Sequence, residues 1–143
     1  MTEIRFHFNV ASRTGYACRL LRKAVRQGSA ITVTASPSAL AELDRELWAI
    51  GPAEFIAHSW AADALTVPAS LHASTVWLAA DPAASPVHHA LVNLGDDAPH
   101  GYESFERLIE VVSTDDAVRA AARERWKAYT KRGYKIERHE VAP

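Results

Sequence analysis

Apolar and polar residues alternate at the start of the chain. Ile4, Phe6, Phe8 and Val10 are apolar, with Arg5, His7 and Asn9 between them. That period of two predicts a strand with one buried face. The spacing then lengthens: Tyr16, Leu20, Leu21, Ala24 and Val25 recur at helical intervals up to Gly28, a residue suited to closing a helix. The β-branched run from Ala30 to Ala35 predicts a second strand. Ser36 followed by Pro37 then supplies a capping hydroxyl and a proline at the first helical position. Leu40, Leu43, Leu47 and Trp48 form the apolar stripe of that helix. Strand–helix–strand–helix favours a parallel sheet with helices packed on it.

The middle is less regular. Phe55 and Ile56 suggest a short strand, and Ala61 to Ala73 reads as loop with an edge strand at Leu65 to Val67. Thr75 to Ala79 predicts a strand ended by Asp81 and Pro82; Ala90 to Leu94 predicts another, closed by Gly95. Two helices are expected to finish the chain. Phe105, Leu108, Ile109 and Val112 would line the first, leaving Glu103, Glu106 and Glu110 on a solvated face. The second would start at a Ser113–Thr114 cap, with Asp115 and Asp116 in its first turn, and end at Gly133. The charged segment 134–143 is expected to be a loose C-terminal tail. Without repeats or linkers, residues 1–143 read as a single α/β domain, a mainly parallel sheet flanked by helices.

Composition narrows the classes. Nearly half of the 143 residues are hydrophobic, and a chain of that length buries roughly 68–70 % of its unfolded surface. The formal net charge is −1, from 16 basic and 17 acidic side chains. Proteins that grip duplex DNA by its phosphates carry a cationic excess, so any nucleic-acid contact here has to be local. The single Cys18 excludes an internal disulfide and reads as a buried helix thiol. No apolar run approaches the ~20 residues of a membrane span, and the chain opens into a strand pattern rather than a signal peptide. The expected location is cytoplasmic.

Conventional catalytic signatures do not emerge. The first strand–helix turn, Ser12 to Tyr16, has one glycine and no phosphate-loop or dinucleotide fingerprint. The histidines are scattered without metal-ligand spacing, and no nucleophile elbow occurs. Neither a cofactor nor a metal is expected. What does emerge is a ridge: Arg119, Arg123, Lys127 and Lys131 recur every four residues, so a helix stacks them, with Trp126 beside them. Cations beside a large ring suit a ligand both acidic and apolar, such as an acidic peptide ending in a hydrophobic residue, or a nucleic-acid strand. The competing reading is a solvated helix face with cations near its C-terminal end.

The segment Ala122-Arg-Glu-Arg-Trp-Lys-Ala-Tyr129 resembles the C-terminal helix signature of the chi subunit of bacterial DNA polymerase III. The segment from Leu43 through Leu47-Trp48 to Phe55 and His58 resembles that family's other signature, in the family's order. The resemblance spans essentially the whole chain. It implies a Rossmann-like topology without a nucleotide site, and a non-catalytic accessory subunit of the replication machine. It further implies two docking surfaces. One, on Arg119, Arg123, Trp126 and Lys127, would take the acidic C-terminal tail of single-stranded DNA-binding protein. The other, on Trp48 and Phe55, would take psi, which connects chi to the clamp loader. Trp126 departs from the tyrosine common at that position, keeping an apolar face while exchanging a hydroxyl for an indole N–H. For Trp48 and Phe55, burial in the core is an equal alternative. Two rival functions stand beside the adaptor: direct binding of single-stranded DNA by the same ridge, and a small nucleotide-binding protein using the Ser12–Tyr16 turn.

Overall fold

A computed structural model describes residues 2–49, 58–60 and 76–142. The expectations for Phe55–Ile56 and for 61–73 lie outside the described residues. Among those described, seven strands form one sheet: β1 (Glu3–Val10), β2 (Ile31–Thr34), β3 (His58–Trp60), β4 (Val76–Leu78), β5 (Ala90–Asn93), β6 (Arg107–Ser113) and β7 (Ile136–Glu140). Their spatial order is β3-β4-β2-β5-β6-β1-β7, and every neighbouring pair is parallel.

Helices α1 (Arg13–Arg26) and α2 (Pro37–Ala49) share one face, where Leu21, Leu40, Leu43 and Leu47 pack on Val33, Leu78, Val92 and Val111. Helix α3 (Asp116–Lys131) covers the other, where Val118, Ala122 and Tyr129 meet Ile4, Phe6, Leu91 and Leu108. The result is the three-layer α/β arrangement that the opening pattern predicts. The helix starts follow the same logic. The Ser12 hydroxyl accepts from the Gly15 amide and the Ser36 hydroxyl from that of Ala39, each satisfying a donor that the first turn leaves open. Gly28 and Gly133, at φ 70° and 90°, end α1 and α3 in the left-handed conformation.

Two expectations are corrected. Residues 107–113 form the strand β6 rather than a helix, preceded by a short 3₁₀ turn at Tyr102–Ser104. β6 lies between β5 and β1, with helices on both faces, so a nearly unbroken apolar run satisfies both of its sides. Glu110 consequently does not reach solvent; it is 0 % exposed.

The second correction concerns the C-terminal segment. Ile136–Glu140 pairs with β1 in register from Ile4–Ile136 to Phe8–Glu140. The Val141 amide donates to the Phe8 carbonyl, the Asn9 side-chain amide donates to the Val141 carbonyl, and Arg5 pairs with Glu137 at 3.1 Å. The backbone ladder holds this edge strand although its side chains are mostly exposed and charged.

Candidate functional site

Helix α3 begins where the Asp115 carboxylate accepts from the Val118 amide at 3.1 Å. From there the 3.6-residue period sorts its side chains. Val118, Ala122, Arg125 and Tyr129 turn inward, while Arg119, Arg123, Lys127 and Lys131 are exposed. The inward face is anchored by a polar cluster. Glu110 receives Arg125 Nε at 3.0 Å, the Tyr129 hydroxyl at 2.7 Å and the Asn93 amide at 2.8 Å. Burial pushes the Glu110 carboxyl above its ordinary value; the Arg125 guanidinium and the three hydrogen bonds act against that rise. Burial, followed by the adjacent Glu110, also raises the Tyr129 phenol, so it remains a donor. Arg125 additionally donates from Nη1 to the Asp96 carbonyl, tying α3 to the loop after β5.

With α3 fixed in this way, a groove of about 540 Å³ opens between it and the C-terminal ends of β1, β6 and β7. Phe6 and Phe8 of β1 and the half-buried Trp126 form an aromatic floor; the Phe6 and Trp126 centroids lie 5.0 Å apart. Arg119 and Arg123 line it from α3, Arg138 and Glu140 from β7. Among the described residues, the side chains of Arg119, Arg123 and Arg138 have no ion-pair or hydrogen-bond partner. The irregularity that ends regular β1–β6 pairing places Asn9 at φ 67° beside the groove, a conformation asparagine tolerates better than most residues. An aromatic floor with unneutralised guanidinium groups can receive an apolar side chain and a carboxylate together.

The sequence-derived site residues separate here. Arg119, Arg123 and Trp126 converge on the groove. Lys127 does not line it; its Nζ sits 3.4 Å from Glu124 on the solvent side. Trp48 is 60 % exposed, not part of the buried stripe that ends at Leu47. Its ring stands 5.1 Å from that of His58, whose Nε2 lies 2.7 Å from Asp44. Phe55 lies outside the described residues.

A second cavity, about 430 Å³, opens at the C-terminal ends of β2 and β5 and is lined by Arg13, Ser36, Asn93, Asp96, Asp97 and His100. Arg13 is already paired with Asp96 at 3.0 Å, and two carboxylates face the space. That charge distribution disfavours a phosphate beside the Ser12–Tyr16 turn. Among the described residues no group of three or more histidine, cysteine or acidic side chains could hold a metal ion. Cys18 is half-buried, and burial together with Glu46 pushes its thiol up to about 11. A thiol so raised is a poor nucleophile at neutral pH.

Comparison with known proteins shows the family. A family model described as DNA polymerase III chi subunit, HolC, matches residues 1–137. The chain belongs to the DNA polymerase III chi family. It is 32 % identical over 148 residues to the DNA polymerase III subunit chi of Pseudomonas aeruginosa, a match covering 99 % of this chain and 98 % of that protein. It is 30 % identical over 126 residues to the subunit of the same name from Haemophilus influenzae, covering 87 % and 85 % of the two chains. As a chi-family subunit it is an accessory component of a replicative polymerase assembly rather than the catalytic one. No helix among the described residues is long and apolar enough to cross a membrane.

For a chi-family chain, the groove adds residues that the sequence pattern assigns elsewhere. Phe6 and Phe8 read as strand core, yet both also face the groove. Arg138 sat in the segment expected to be loose. The signal that could have retrieved it is the mixed-charge run after Gly133, where an edge strand carries charge instead of alternation.

Proposed function

We propose that this chi subunit is a non-catalytic adaptor that couples the clamp loader to single-stranded DNA coated by its binding protein. The α3 groove is the surface for the acidic C-terminal tail of that protein. The observation that carries the reading is the pairing of an aromatic floor with arginines that have no internal partner. Unpaired guanidinium groups beside apolar rings favour a ligand that is anionic and apolar together. Arg123 and Arg119 take carboxylates, bidentate where geometry allows, and Trp126 takes the terminal apolar side chain. Lys127, one turn beyond Arg123 on the solvent side, adds charge to the approach rather than a contact in the groove.

The exposed Trp48 supports a second surface, for psi. Phe55 belongs to that proposal through the family motif alone. Tryptophan is enriched at protein interfaces relative to the rest of the surface.

The test is titration of the purified protein with a peptide comprising the last residues of its own single-stranded DNA-binding protein. Saturable binding that persists at moderate salt is expected, because the apolar contribution is not screened. Tight oligonucleotide binding with no peptide binding would overturn the adaptor reading in favour of direct strand binding.

A further inference from the structure

The groove has a second cationic wall, supplied by the strand that closes the chain. In the β1–β7 ladder Arg138 stands opposite Phe6 and Glu140 opposite Phe8. The alternation of a strand sends both side chains to the face covered by α3, and both line the groove. The Arg138 guanidinium carbon lies 5.2 Å from the centroid of Phe8 and 6.0 Å from that of Trp126. Stacking on the rings holds the group in place at the edge of the floor while leaving its donors for a ligand. Among the described residues, Glu140 is the only one lining the groove with a carboxylate.

We propose that β7 is a binding element of the tail site: Arg138 takes a second carboxylate of an acidic peptide, and Glu140 sets where no anion is accepted. This deepens the adaptor reading and rests on it. A peptide held only at Arg119 and Arg123, with one side chain on Trp126, is free to swing about that attachment. A second carboxylate on the opposite wall fixes its direction across the floor. Glu140 then makes the site selective. A peptide can place uncharged atoms beside it, whereas a nucleic-acid strand carries a phosphate at every step and sets one against that carboxylate. The groove thus accepts a patterned anion better than a continuous one.

The experiment compares the full chain with Arg138→Met, Arg138→Lys, Glu140→Gln and, as a reference for the α3 wall, Arg123→Ala. The probes are a synthetic peptide with two aspartates before a C-terminal phenylalanine, and a single-stranded oligothymidylate. Arg138→Met should weaken the peptide roughly three- to tenfold and flatten its salt dependence; Arg138→Lys should restore the salt dependence and part of the affinity. Glu140→Gln should strengthen both ligands, the oligonucleotide by the larger factor. A merely structural role for β7 would not give these opposite signs on one strand. If Arg138→Met lowers the melting temperature, the Glu140→Gln arm still decides. Unchanged peptide affinity in both β7 variants, with Arg123→Ala impaired, overturns the inference and leaves the tail reading standing. Absence of peptide binding by the unaltered chain overturns the tail reading itself. Oligonucleotide affinity equal to or above that of the peptide in the unaltered chain overturns the selectivity assigned to Glu140.

Discussion

Arg123 and Arg125 are the same residue type two positions apart on one helix, yet they meet different environments. Arg125 is 5 % exposed and spends its guanidinium on Glu110 and the Asp96 carbonyl. Arg123 is exposed, lines the groove and has no side-chain partner among the described residues. A step of two along a helix turns a side chain by more than half a revolution, so the two arginines of the Arg-Glu-Arg motif face opposite ways. Within one motif, therefore, one arginine holds the helix on the sheet and the other is left facing the groove. Similarity of sequence alone does not separate those roles; burial and partnership do.

Arg125 is where substitution should have the largest effect. Arg125→Met removes the charge facing Glu110 and leaves a buried carboxylate uncompensated, a change that typically costs about 3–5 kcal/mol. Denaturant unfolding should show that loss, and the double variant Arg125→Met with Glu110→Gln should recover part of it. If Arg125→Met unfolds like the unaltered chain while peptide binding disappears, Arg125 is a ligand residue and the division between the two arginines fails.

Arg123→Ala should behave in the opposite way. Hydrogen bonds to charged groups are worth about 1.5–3 kcal/mol, so tail-peptide affinity should fall roughly ten- to a hundredfold. Stability should stay near that of the unaltered chain, since an exposed side chain with no internal partner has little to lose on removal. Calorimetric titration read beside thermal unfolding checks both halves. Unchanged affinity with a native circular dichroism spectrum would remove Arg123 from the site.

How much of this was legible in the sequence follows from how local each feature is. Ser36 as a helix start, and Gly28 and Gly133 as ends, are read within a few residues, and the structure uses all three, whereas α3 is capped by Asp115 just after the expected Ser113–Thr114 cap. β6 misled because Phe105, Leu108, Ile109 and Val112 fit a helical period while 108–112 also forms a nearly continuous apolar run. Only the position between β5 and β1, buried on both faces, decides between those periods. Glu110 looked like a solvated carboxylate for the same reason; its partners Arg125 and Tyr129 arrive from the following helix.

The site divides along the same line. Its α3 wall is contiguous in sequence and was found there. Its floor and its β7 wall depend on pairing between the two ends of the chain, where the Asn9 amide reaches Val141 across 132 positions. An edge strand with one apolar residue in Ile136–Glu140 gives the hydrophobic pattern almost nothing to report.

Trp48 provides the gentlest test of the same principle, that burial and partnership assign the role. It terminates the stripe of Leu40, Leu43 and Leu47 in sequence, but those leucines are fully buried and the indole is not. If it belonged to the core, Trp48→Ser would cost the ~3–5 kcal/mol of a large-to-small core change. At the exposed position the described contact is with the His58 ring, and its removal is expected to cost about 0.5–1.5 kcal/mol. The His58–Asp44 pair beneath it should limit further relaxation. Tail-peptide affinity should not change, because α2 and the α3 groove lie on opposite faces of the sheet. Association with psi, measured by co-purification or light scattering, should be the property that suffers. A large drop in stability would return Trp48 to the core and withdraw the psi surface. Full psi association with near-native stability would leave the indole exposed but give the partner a different landing site.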